Sequence, residues 1–219
     1  MDFLQVLSWA CIVFTLGMFS TGLTDLRRMV SSGSAENVQF LPFLTTCLNN
    51  LGWLYYGTLK RDGTLVIVNS IGAVLQAVYI SAFCLYTQHR RRVLMQTALA
   101  AAGLCVGVLY FTQLLSDPDT RLSQLGLTCS LFTISMYLSP LTDLVQIVRS
   151  RSVKCLSYSL TVATFLTSTS WTLYGLQLQD LYIMVPNTPG IVTSLIRFWL
   201  FWRFTPSSPE KFSYRPLQA

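Results

Sequence analysis

Charged side chains are scarce in this chain: Asp, Glu, Lys and Arg make up 11% of its 219 residues. A water-soluble domain carries about 25%, so the polar surface needed to stay dispersed in water is missing. There is one histidine, His89, set in a basic stretch. No phosphate-binding glycine loop, no Cys/His metal spacing and no nucleophile beside a base can be found, which excludes a soluble catalytic site. The chain is therefore not read as an enzyme, and neither a cofactor nor a metal is expected. Six cysteines show no paired spacing and mostly lie within apolar runs, as small apolar side chains do. No N-x-Ser/Thr sequon occurs, because Asn187-Thr188 is followed by Pro189. Met1-Asp2 lacks the basic start of a cleaved signal peptide, so the first apolar run is expected to be a membrane helix.

What is abundant is apolar: 52% of residues, with a mean hydropathy of +0.51. Seven segments, near 4–26, 43–60, 64–86, 93–115, 125–147, 159–178 and 182–202, are each long enough to cross ~30 Å of hydrocarbon as a helix. The runs are continuous rather than alternating, which argues against a barrel. The formal net charge of +6 does not point to nucleic acid, since the basic residues sit in short loops and form no stripe with interleaved aromatics. Eleven of the fifteen fall in the loops after spans 1, 3 and 5 and in the tail, three (Lys60, Arg61, Arg121) on the other side, and Arg197 within span 7. The positive-inside rule then predicts the N-terminus outside and the C-terminus in the cytosol.

The chain also repeats itself. Cys11 to Phe83 aligns with Cys129 to Phe201 without a gap, at an offset of 118. Cys11, Phe14, Thr15 and Met18 meet Cys129, Phe132, Thr133 and Met136. Leu23-Thr24-Asp25-Leu26 meets Leu141-Thr142-Asp143-Leu144. Trp53, Tyr56, Gly57, Asp62, Asn69 and Gly72 meet Trp171, Tyr174, Gly175, Asp180, Asn187 and Gly190. Such duplication fixes architecture ahead of any single motif. Two three-helix units joined directly would run in opposite senses, and span 4 restores the same sense. The prediction is an all-α membrane protein with seven transmembrane helices, two parallel three-helix bundles joined by a linker helix (3+1+3). Its units are residues 1–88, the first repeat; 89–118, the linker; 119–205, the second repeat; and 206–219, a cytosolic tail. The Ala100 to Gly103 run suggests close packing of the linker.

Trp53 and Asn69 lie eight residues either side of Arg61, and Trp171 and Asn187 eight either side of Gln179. At ~1.5 Å per residue, all four should lie in one layer ~12 Å below the outer turns. Indoles anchor helices at interfaces, as Trp9, Trp199 and Trp202 are expected to do, and a carboxamide can simply bond a neighbouring helix. Duplication at matched depth favours a binding role instead. An indole face suits the C–H face of a pyranose, and a carboxamide offers both donor and acceptor to hydroxyls. The ligand expected is a small neutral sugar. Ionisable groups otherwise sit at helix ends, with Asp25 and Asp143 near basic loops and Arg197 within reach of the cytosolic face by snorkelling. With no carboxylate at depth, transport is expected to run downhill rather than on protons or sodium. Pro42, Pro140, Pro186 and Pro189 mark candidate backbone irregularities.

These features resemble the SWEET sugar transporters: the 3+1+3 plan, the paired asparagines, the Trp53–Gly57 and Trp171–Gly175 segments and Pro140-Leu-Thr-Asp-Leu144. Residues 37–46 and 132–140 look like those of the vertebrate member. The resemblance covers all but the tail after Thr205. It implies that Trp53, Asn69, Trp171 and Asn187 line the sugar pocket, Tyr56 and Asp180 form the extracellular gate, and Pro42 and Pro140 bend helices. Gly22 and Ser159 depart, standing where many members have proline. The resemblance further implies facilitated, proton-independent hexose transport, with Golgi and plasma-membrane residence. The partners expected are the sugar and the lipid bilayer, with no nucleic acid; homo-oligomerisation stays open. Two other readings stand beside it, a seven-helix receptor and a PQ-loop relative that moves amino acids or acts in trafficking.

Overall fold

The structure, a computed structural model, describes residues 2–137, 144, 145, 148, 153 and 156–204. Pro140 and Asp143 fall outside the described residues. Eight helical segments make up the described chain: α1 Phe3–Phe19, α2 Gly22–Ser32, α3 Phe40–Lys60, α4 Gly63–Tyr86, α5 Arg90–Leu109, α6 Pro118–Met136, α7 Tyr158–Gln177 and α8 Leu181–Phe204. The first two form span 1, and a π-turn, Tyr110–Leu114, ends α5. No strand occurs among the described residues.

Caps and turns place these helices. The carboxylate of Asp62 accepts the Leu65 N–H at 3.0 Å, and that of Asp180 accepts the Tyr182 and Ile183 N–H groups at 2.9 and 3.3 Å. Each satisfies orphan donors in the first turn of its helix. Arg61 and Gln179, the centres of the two tight connections, both take left-handed backbone, at φ 57° and 54°. Span 5 starts earlier than predicted, at Pro118 rather than 125. The reason is local: Asp117 caps the Thr120 N–H at 2.8 Å and Pro118 occupies the first helical position, where its missing donor is harmless.

Six helices close into a ring. In order of contact it runs α4, α1, α7, α8, α6, α3 and back to α4. Repeat symmetry produces that order. α1 and α6 occupy equivalent places, and each packs on the last helix of its own repeat and the middle helix of the other. Their shared surface buries Cys11, Trp53, Tyr56, Val68, Cys129, Trp171, Tyr174 and Ile183 between the bundles.

The linker helix stands apart. It touches α3 and α4 only lightly, and just 6% of its apolar window is buried, as fits a helix turned to lipid. Ala101, Ala102 and Gly103 are exposed, and nothing lies within 4 Å of the side-chain positions of Gly103 or Gly107. Of the run expected to pack closely, only Ala100 rests against the first repeat among the described residues, because α5 lies outside the ring.

Among the described residues, three stretches suffice by length and composition to cross a membrane on their own: Phe3–Ser32, Gly63–Tyr86 and Arg90–Leu114. The other spans carry more of the polar side chains that face the ring's interior. Trp9, Trp199 and Trp202 are exposed on the outside, where interfacial anchors belong.

Candidate functional site

A cavity of about 480 Å³ lies inside the ring, and every one of the six helices contributes to its wall. Trp53, Asn69, Trp171 and Asn187 all line it, so the four side chains expected to share a layer do face one space. Their orientation is fixed by bonds that obey the repeat. The Trp53 Nε1–H donates to Thr133 Oγ1 at 3.0 Å, and the Trp171 Nε1–H to Thr15 Oγ1 at 2.9 Å. Each indole is thus held by a threonine of the opposite repeat. The Asn69 Nδ2 donates to the Leu65 carbonyl at 2.8 Å and the Asn187 Nδ2 to the Ile183 carbonyl at 2.7 Å. Tied back along its own helix, each amide presents its carbonyl oxygen and second N–H to the cavity. Gly72 and Gly190 complete the pattern. A β-carbon there would strike Asn50 and Phe19 in one repeat, and Ser168 and Tyr137 in the other.

One end of the cavity is shut by two crossed contacts. The Tyr56 hydroxyl donates to Asp180 Oδ2 at 2.8 Å, and the Tyr174 hydroxyl to both oxygens of Asp62 at 3.0 Å. Lys60 forms an ion pair with the same Asp180 oxygen. Tyr56 and Asp180 were expected together; Tyr174 and Asp62 complete the closure by symmetry. Their matched register, like that of Thr15 and Thr133, was the signal available for them. Lys60 had none, since its counterpart is Leu178.

At the other end the cavity runs down α7 and α8 past Thr164, Leu160 and Thr193 to Arg197. Arg197, expected within reach of the cytosolic face, lines this end of the cavity, and its Nε is buried without a hydrogen bond among the described residues. Arg197 shares an α8 face with Asn187 and Gly190, which turns the side chain inward. Pro42 occupies the third position of α3, in the first turn, where no ladder donor is lost. Pro186 and Pro189 lie within α8 on either side of Asn187. No group of three metal-ligating side chains occurs among the described residues.

Comparison with known proteins matches this arrangement. The model of a family described as sugar efflux transporter for intercellular exchange matches twice, at residues 5–91 and 123–209. The two matches start 118 residues apart, the offset of the internal repeat. The chain belongs to the SWEET family. It is 67% identical to the sugar transporter SWEET1 of Danio rerio over 218 residues, covering 100% of both chains. It is 61% identical to the SWEET1 of Homo sapiens over 195 residues, covering 89% of this chain and 88% of that one. Its fold is similar to a 3.7 Å structure of a eukaryotic SWEET transporter, with a TM-score of 0.85 at 30% identity, covering 92% and 96% of the two chains. As a SWEET the chain is an integral membrane protein of two parallel three-helix bundles and a linker, in a family of transporters rather than enzymes.

Proposed function

We propose that this chain is a sugar uniporter that carries monosaccharides such as glucose down their gradient by alternating access. The observation carrying this reading is the duplicated girdle of two indoles and two carboxamides around one cavity. A pyranose between the tryptophans would meet aromatic faces on both sides and a carboxamide from each repeat. With every girdle residue neutral, a neutral polyol is favoured over an amino acid, which would want partners for both its charges.

The two ends of the cavity suit alternating access. Tyr56–Asp180 and Tyr174–Asp62 join the repeats above the girdle, while below it the cavity continues to Arg197. With the N-terminus outside and the C-terminus in the cytosol, this is an inward-facing form. Rocking the bundles about the girdle would part the Tyr–Asp contacts and close the lower end. The buried carboxylate, Asp180, is held by Lys60, Tyr56 and backbone N–H groups near the outer surface, a place suited to gating rather than proton carriage. Golgi and plasma membranes are the proposed sites of residence.

Purified protein in liposomes tests the reading. Saturable glucose uptake is expected, insensitive to an imposed pH gradient and lowered at least tenfold by Asn69→Ala or Asn187→Ala. Undiminished uptake in both variants, or accumulation driven by protons, overturns it. Residence follows from tagged protein at native expression.

A further inference from the structure

Span 1 breaks between Phe19 and Gly22 without a proline. Three successive carbonyls there accept hydroxyl donors. The Ser20 Oγ–H donates to the Gly17 carbonyl at 2.6 Å and the Thr21 Oγ1–H to the Met18 carbonyl at 2.8 Å. The third comes from a different helix: the Tyr79 hydroxyl, on α4, donates to the Phe19 carbonyl at 3.2 Å. In an unbroken helix Phe19 would receive the Leu23 N–H. Here Leu23 N–H turns to Ser20 at 3.0 Å and Thr24 N–H to Thr21 at 3.1 Å, tightening the chain to i−3 bonds.

A buried carbonyl stripped of its donor is expensive, and the break persists only where something replaces that donor. Tyr79 is suited to this. It is wholly buried, its ring rests against Phe43 at a centroid distance of 5.4 Å, and it presses on Gly22, where any β-carbon would overlap the ring. Glycine at 22 and tyrosine at 79 are thus one device: the missing side chain admits the ring, and the ring delivers the hydroxyl. Met18 and Phe19, just above the break, line the cavity. In the second repeat the matching positions hold Pro140 and Arg197, so the glycine–tyrosine pairing belongs to the first repeat alone.

We infer that Tyr79 is a positioning residue for transport, its hydroxyl holding the proline-free bend of span 1 and so setting how the cavity partitions between its inward- and outward-facing forms. This rests on the alternating-access reading. Tyr79→Phe keeps the ring and removes only the donor. Removing it shifts the equilibrium of the unloaded carrier roughly three- to tenfold, the range for one hydrogen bond.

The test compares zero-trans net flux with equilibrium exchange of labelled glucose in liposomes holding the full chain. Net flux includes the return of the empty carrier; exchange does not. Tyr79→Phe is expected to change the ratio of net flux to exchange at least threefold. A purely structural role would scale both by the same factor, through fewer active molecules. Gly22→Ala, which drives a methyl into the ring, should depress both rates. Gly22→Ala with Tyr79→Leu should recover exchange while keeping the altered ratio. An unchanged ratio in Tyr79→Phe, or no recovery in the double variant, overturns the inference. Absence of saturable transport in the unaltered protein would instead sink the reading it rests on.

Discussion

The two repeats share a plan yet close their ends with different chemistry. At the outer turns both use a tyrosine from one repeat and an aspartate from the other. Asp62 is held by neutral groups, the Tyr174 hydroxyl and the Leu65 N–H, whereas Asp180 also carries Lys60. Toward the opposite end the contrast grows. The first repeat fills that region with Met29, Phe40, Phe43, Tyr79 and Phe83, all buried. The second has Thr161 where Phe43 stands and Arg197 where Tyr79 stands, and among the described residues its buried apolar cluster there holds Leu144 and Leu200. One half is packed and bent by a hydroxyl; the other leaves the room into which the cavity extends. Symmetry thus sets the girdle, and departures from it set which end is open.

The largest expected break in this comparison comes from the carboxylates. Asp180→Ala removes a helix cap, the Tyr56 partner and the counter-charge of Lys60 together. The loss is about 2 kcal/mol, below the ~3–5 kcal/mol of a fully buried pair because the Lys60 side chain is 26% exposed. Asp62→Ala loses a cap and neutral hydrogen bonds, worth about 1 kcal/mol. Thermal unfolding in detergent should rank Asp180→Ala clearly below Asp62→Ala; equal losses would show that Lys60 contributes nothing.

Lys60→Leu sharpens the same point by giving the first repeat the residue that the second has at Leu178. A part-exposed pair is worth ~0.5–1 kcal/mol. The variant should therefore favour the outward-facing form about two- to fivefold, read as labelling of an engineered cavity cysteine by an impermeant thiol reagent added outside. Labelling that does not rise would place the closure in the tyrosines alone.

Much of this was legible in the sequence because of the duplication. A register of 118 made Trp53/Trp171 and Asn69/Asn187 visible as pairs, and counting from Arg61 and Gln179 gave their common depth. The same register contained Thr15/Thr133, Tyr56/Tyr174 and Asp62/Asp180, but nothing in one dimension says that an indole or a phenol reaches across to the other repeat. Unpaired features were hidden for a different reason. Lys60 reads as a loop charge until folding brings it to a carboxylate 120 positions away. Tyr79 reads as an apolar helix residue, and its role depends on the absence of a side chain at Gly22. Arg197, close enough to the helix end to reach water, is turned inward by the α8 face it shares with Asn187. The Ala100–Gly103 run misled because small residues show where helices could approach, while the ring decides where they do.

A finer comparison concerns the threonines. Thr15 accepts Trp171, and Thr133 accepts Trp53 while also bonding the side-chain oxygen of Asn49 at 2.8 Å. Asn49 corresponds to Thr167, so the second link exists on one side only. Replacing either threonine by valine frees an indole N–H, at about 1 kcal/mol. Thr133→Val also releases Asn49 and should lower the apparent affinity for glucose about two- to fivefold more than Thr15→Val. Equal affinities would make Asn49 a bystander.

The smallest effect is expected at Asp117, outside the membrane, where α6 has a charged cap. Its hydrogen bonds to Thr120 hold its carboxyl below the usual carboxylate value. Because the folded pKa is depressed, its contribution is present above the unfolded pKa and fades as pH falls through the folded one. Near neutral pH the cap is fully engaged. Asp117→Asn keeps a capping oxygen and should leave the unfolding midpoint at pH 7 almost unmoved, while Asp117→Ala lowers it slightly. In acid, below the folded pKa, the unaltered protein loses the advantage that charge gave it over Asp117→Asn. A gap between those two that stays the same on acidification would show that the cap acts through its shape and not its charge.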